Sequence, residues 1–209
     1  VLLGLLLAVI AGKAALAADL SVSIKTPTGE PVADAVISFR PAGGAPAPRV
    51  QGPYVMVQQD ISFHPFVLVI PVGADVNFPN RDKVRHHVYS FSPAKRFELK
   101  LYGRDETRTV HFDRAGVVAL GCNIHDSMSA YIDVVDTPYA AKTDDKGEAV
   151  LGDLPAGPGT LVLWQPYLKA PRNEQVHPIT VEGSARQTFL MDLRAPPSAS
   201  VGMTMPMGR

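Results

Sequence analysis

Short apolar runs rich in Val and Ile, divided by 17 glycines and 19 prolines, leave long helices little room in this chain of 209 residues. LSVSIK (Leu20 to Lys25) alternates, TPTGEP turns, and VADAVISF (Val32 to Phe39) alternates again, so residues 20–40 are expected to form a hairpin. PAGGAPAP (Pro41 to Pro48) cannot build a ladder and reads as a linker. Strand signals then resume at YVMV, FVLVI, DVNF, HVYSF, RFELKLY, TRTVHF, VVAL and YIDVVD, between Tyr54 and Asp136. Eight short strands in about 85 residues describe a small sandwich. Beyond it, TDDKGEAVL (Thr143 to Leu151), LPAGPG (Leu154 to Gly159) and TLVLW (Thr160 to Trp164) predict further hairpins, with a last strand at QTFLMDL (Gln187 to Leu193). The tail APPSASVGMTMPMGR, residues 195–209, is expected to be disordered.

The opening run VLLGLLLAVI and the small-x-small ending ALA (Ala15 to Ala17) have the pattern of a cleaved signal peptide over residues 1–17, which places the mature chain in the periplasm. The apolar run falls short of the ~20 residues that span a bilayer, and Lys13 interrupts it. No stable membrane insertion is expected after cleavage. Loss of Lys13 leaves 19 basic against 20 acidic side chains, a net charge of −1 with neutral histidines. A nucleic-acid partner is excluded on that balance, since polyanion binding normally needs a basic excess.

A lone cysteine in an oxidising compartment has no disulfide partner within its chain. Cys122 stands in GCNIHDSM, with His125 three residues on and Met128 three further, and HH at His86 and His87 supplies more imidazole. Taken singly, these are an inert buried thiol, a loop histidine and a core filler. As a set, two His, one Cys and a long axial Met make up the donors of blue copper electron-transfer centres. One cysteine excludes a four-Cys iron–sulfur cluster, structural zinc seldom recruits Met, and the Cys-x-x-Cys-His attachment of haem is absent. Zinc on the same donors, or a fold that has lost its metal, are the alternatives. Neighbouring strand residues face opposite ways, so only one of His86 and His87 can point into a site.

FHPFVLVIPVGADVNFPN and GVVALGCNIHDSM resemble the cupredoxin (blue copper) family, of the amicyanin and plastocyanin type. The short Cys-x2-His-x2-Met loop is most like amicyanin. HHVYSFSPAKRFELKLY and DTPYAAKTDDKG also resemble periplasmic proteins labelled methylamine utilisation proteins. The resemblance implies a Greek-key sandwich over residues 49–136 that binds one type 1 copper through His86, Cys122, His125 and Met128. His86 is implied because it lies six residues after Asn80, as the family's ligand follows its Asn. Two positions depart from the pattern: Arg85 stands where amicyanin has Pro, and His87 where the family often has an Asn tying the ligand loops together.

The resemblance further implies a carrier of single electrons, with electrons leaving through His125 framed by Ile124 and the Pro71 to Ala74 turn. A c-type cytochrome or a periplasmic dehydrogenase would be the redox partner. The flanks, residues 18–48 and 137–194, resemble the two parts of a carboxypeptidase regulatory-like (transthyretin-like) β-sandwich, into which the copper domain would be inserted. His64, His111 and His177 read as surface or structural, too few for the extra coppers of a multicopper oxidase. No serine elbow, phosphate loop or His-Glu-x-x-His motif is present, and no enzyme is expected. A Cu(I)-delivery protein using Met203, Met205 and Met207, or a non-redox β-sandwich binding module, are the competing function classes.

Overall fold

A computed structural model describes residues 17–196. The expected signal segment, apart from its last residue, and the Met-containing tail from residue 197 lie outside the described residues. The described chain is all-β, with a 3-10 turn at Pro171–Asn173. The strands are β1 (Ala18–Lys25), β2 (Val36–Pro41), β3 (Tyr54–Val55), β4 (Val57–Gln59), β5 (Ser62–His64), β6 (Val67–Pro71), β7 (Ala74–Pro79), β8 (His86–Ser92) and β9 (Lys95–Tyr102). They continue with β10 (Thr107–Phe112), β11 (Gly116–Cys122), β12 (Ser129–Val135), β13 (Ala140–Lys142), β14 (Glu148–Leu154), β15 (Gly157–Trp164), β16 (Glu174–Val181) and β17 (Ala185–Leu190).

The central stretch forms a five-stranded sheet, β6-β12-β11-β8-β9, and a three-stranded sheet, β10-β7-β3. Alternate residues of both sheets, among them Val76, Phe78, Val88, Phe112, Val118, Leu120 and Ile132, close one apolar core. Burying each such side chain contributes roughly 1.5–3 kcal/mol. The sheets β14-β1-β17 and β13-β2-β15-β16 hold a second core, in which Val22, Ile24, Ile37 and Phe39 meet Leu151, Leu161, Leu163 and Met191. Two stretches far apart in sequence therefore share it. The chain leaves this core and returns to it at adjoining points: the Phe39 N–H donates to the Tyr139 carbonyl at 2.8 Å, and the Thr137 hydroxyl to the Phe39 carbonyl at 2.9 Å.

Residues 20–40 do not form the expected hairpin. β1 pairs with β14 and β17, whereas β2 pairs with β13 and β15. The reason lies in β2, whose residues Val36 to Phe39 are all buried, as in a central strand covered on both faces. A strand of that kind needs two neighbours of its own. The hairpin expected across LPAGPG does not form either, since β14 pairs with β1 and β15 with β2 and β16; TDDKG is the turn that leads into β14. Gly147 has φ +73°, and a Cβ there would lie 2.4 Å from the Ile24 carbonyl oxygen, so no other residue fits against β1.

Val36, Val67 and Trp164 form a small apolar seam between the two cores, edged by Phe66 and Tyr131. Asp133 of β12 faces this seam beside Arg40, Trp164 and Glu174. Burial pushes its carboxyl up to about 6; Arg40 opposes the shift, and Glu174 and Asp136 add to it. The folded state therefore holds the Asp133 proton more tightly than the unfolded chain does. The contribution of Asp133 to stability is fully present below about pH 4 and is lost as pH rises through about 6. Asp133→Asn should remove this contribution, so that the variant gains stability relative to wild type between pH 4.5 and pH 7 by at most about 3 kcal/mol, read from denaturant unfolding of both proteins at the two pH values.

Candidate metal centre

β8 and β11 pair antiparallel, with Gly121 opposite Tyr89 and Cys122 opposite Val88. A Cβ on Gly121 would lie 2.8 Å from the Tyr89 ring, so glycine leaves room for that ring to lie across β11 immediately before the cysteine. Cys122, the last residue of β11, is 3% exposed and carries a free thiol. His86, the first residue of β8, is fully buried, cross-strand from Tyr102. The next residue faces the other way: the His87 ring places Nε2 2.8 Å from Glu98 Oε1 on β9.

Residues 123–128 turn over the end of the sheet. The Asn123 N–H donates to the His87 carbonyl at 3.1 Å, and the Met128 N–H to the His125 carbonyl at 2.9 Å. The first of these bonds joins the two loops through the backbone, where the resembling family often uses an Asn side chain. His125 is half-buried, Ile124 beside it is 48% exposed, and Met128 is buried in the same core as Cys122.

Both imidazoles converge on the thiol. His86 Nδ1 lies 3.8 Å and His125 Nδ1 3.7 Å from Cys122 Sγ, with the ring centroids 5.1 Å apart. The three donor atoms all lie within 4.8 Å of one another. Metal bonds of about 2.0 Å to nitrogen and 2.3 Å to sulfur, set at trigonal angles, separate such donors by about 3.7 Å. One ion therefore fits the spacing. A thiol's single proton could serve only one of the two nitrogens.

Asp82 lies in RDKVR between β7 and β8 and is not among the site residues expected from the sequence. Its Oδ2 lies 2.7 Å from His86 Nε2. Burial works against its ionised form, but the hydrogen bonds from His86, Ile61 and Asp60 outweigh it and hold the carboxyl below the usual range. Tyr102, opposite His86, donates to the Phe78 carbonyl at 3.0 Å and meets the Gln58 amide; burial pushes its phenol up to about 12, so it adds no charge near the site.

Other sequence expectations fall elsewhere. His64 is exposed, His111 pairs with Asp75 at 2.8 Å, and His177 packs on Phe189. The Pro71 to Ala74 turn does not frame His125. Val72 and Gly73 donate to the carbonyls of Val135 and Phe112, and Val135 ends the strand that Ser129 begins beside the site. The seven residues of β12 put about 20 Å between those ends.

No family model matches the chain, and no curated protein matches it. Among solved structures, a Cu-containing nitrite reductase from Thermus scotoductus SA-01 is 28% identical, with a TM-score of 0.39 over 40% of this chain and 22% of that one. The match thus takes in less than a quarter of the reductase. A purple cupredoxin from Nitrosopumilus maritimus is 21% identical, TM-score 0.36, over 40% of this chain and 100% of its own. A mutant of amicyanin in its reduced Cu(I) form is 21% identical, TM-score 0.37, over 49% and 99%. On its own topology, the central unit is a cupredoxin-like sandwich: two facing sheets, with Cys122 at the end of β11 and His86 at the start of the adjacent β8.

Because Cys122 is almost wholly buried, a thiol reagent should modify it far more slowly in the folded, metal-free protein than in denaturant. Stopped-flow absorbance of the released chromophore reads both rates. Equal rates would contradict the buried position.

Proposed function

We propose that this chain is a periplasmic type 1 copper protein that carries single electrons between redox partners. The observation that supports it most is the approach of two Nδ1 atoms to one buried sulfur at 3.7 and 3.8 Å. Copper held by these donors would be able to cycle between Cu(I) and Cu(II). The chain's own part is to keep the three donors in place. His86 and Cys122 are fixed at paired strand ends in a core that excludes water, so little need rearrange when one electron arrives or leaves.

His125 is the half-buried donor and, with the exposed Ile124, offers an apolar edge for exchange with a partner. Met128, buried in the same core as Cys122, would supply the fourth donor, a soft thioether. The partner is a c-type cytochrome or a periplasmic dehydrogenase, the latter in keeping with the resemblance to methylamine utilisation proteins. We read the chain as a carrier rather than an enzyme. The cupredoxin-like unit is inserted into a second, regulatory-like sandwich, whose two parts are residues 18–48 and 137–194. The side-by-side placement of Phe39 and Thr137 to Tyr139 supports that division, since an insertion is tolerated where entry and exit are close.

The full chain should bind one copper and show an intense visible thiolate-to-Cu(II) band. Cys122→Ser should abolish the band even where copper is retained. A colourless oxidised protein with bound copper would sink the proposal.

His86→Ala should lower copper affinity by at least about tenfold and lose the band. His87→Ala should keep the colour, because that ring faces Glu98. Titration of each variant against a competing chelator, followed in the visible, separates them, and the opposite pattern would reassign the ligand to His87.

A further inference from the structure

We propose that Asp82 is the positioning residue for His86, and that through it the turn between β4 and β5 holds this imidazole in the form a metal requires. The inference rests on the metal reading above. It begins from the hydrogen bonds that end on one carboxylate. Asp82 Oδ1 accepts from the Asp60 N–H at 2.7 Å, and Oδ2 accepts from the Ile61 N–H at 3.1 Å and from His86 Nε2 at 2.7 Å.

Both carboxylate oxygens already accept backbone N–H groups, which makes Asp82 an acceptor toward the ring as well. Nε2 of His86 must therefore carry the ring proton, which leaves the Nδ1 lone pair directed at Cys122 Sγ. Without Asp82, a ring that is 0% exposed would have no partner for that N–H and no reason to prefer one tautomer.

The carboxylate is itself held. The Asp82 N–H donates to Asn80 Oδ1 at 2.8 Å, and the fully buried Asn80 amide donates to the carbonyls of Val84 at 2.9 Å and Tyr102 at 3.1 Å. The Arg81 N–H donates to the Gln58 carbonyl at 2.9 Å, which fastens the loop to β4. Loop 81–85 thus has little freedom to swing.

The turn itself is unusual. Asp60 and Ile61 have φ of 54° and 52°, and a β-branched residue in the left-handed region is an outlier that persists only where its surroundings enforce it. Two backbone N–H groups of this turn are spent on Asp82. Binding a turn would explain those two bonds, but not the third, to a buried imidazole that faces the thiol. A carboxylate bonded to a ligand imidazole fixes the ring and makes it a stronger donor. That favours the more highly charged metal ion, so loss of the negative charge should raise the midpoint potential.

The test uses the full chain as wild type, Asp82→Asn and Asp82→Ala. Nitrogen NMR of the metal-free protein, at a pH where His86 is neutral, reads the tautomer. Copper titration against a chelator and potentiometry read affinity and potential. In wild type, the His86 proton should reside on Nε2. Asp82→Asn can still accept that proton through its amide oxygen, so it should keep the tautomer but raise the potential. Asp82→Ala should mix the tautomers and weaken copper binding about 10–100-fold.

Unchanged tautomer, affinity and potential in both variants, with only folding stability reduced, would overturn the proposal and leave Asp82 a clamp for the turn. A wild-type proton on Nδ1 would overturn it even if Asp82→Ala fails to fold. Failure of wild type to bind copper would remove the metal reading, while the tautomer of the metal-free protein would still decide the role of Asp82.

Discussion

Two imidazole nitrogens aimed at one buried sulfur set the terms for the rest of this molecule. The convergence depends on the β8 and β11 pairing, which puts His86 and Cys122 at neighbouring strand ends although 36 residues separate them. A shift of one residue in that register would turn His86 outward and His87 inward, because side chains alternate across a strand. The backbone bond from Asn123 to His87 and the close approach of the Tyr89 ring at Gly121 hold the register at the place where it matters.

Around that point, the buried polar groups are paired, apart from Gln58 Oε1, which has no hydrogen-bond partner. Asn80, Gln58, Tyr102 and Asp82 form a connected set behind His86, and each bond in it fixes a loop or a ring. Their cost of desolvation is offset by bonds to backbone groups that would otherwise lack partners. The seam between the two cores is treated differently. There, Asp133 sits among apolar groups without such a network, and its raised pKa is the consequence.

The sequence made the all-β class and most strands legible, because period-two alternation and Gly or Pro turns are local signals. Cys122, His125 and Met128 were legible as a set because they fall within seven residues. The pairing of β1 and β2 was not legible. The alternation of Val32 to Phe39 looks like half a hairpin, while burial on both faces of β2 is set by strands more than a hundred residues away. Asp82 escaped for a similar reason: its partners Asp60 and Ile61 come from a turn whose position depends on the Gln58 and Asn80 bridge, and nothing local marks it. The Pro71 to Ala74 turn was misplaced because resemblance carries loops over in sequence order, whereas parallel pairing of β6 with β12 sends that turn to the opposite end.

The central claim is that the folded chain presents a ready-made site of two imidazoles and one thiolate that does not change with oxidation state. X-ray absorption of the copper-loaded full chain, recorded oxidised and then reduced, tests it most directly. The account predicts two nitrogen neighbours and one short sulfur neighbour in both states, with nearly unchanged distances. Loss of a nitrogen neighbour on reduction, or the absence of a short sulfur neighbour in either state, would contradict it.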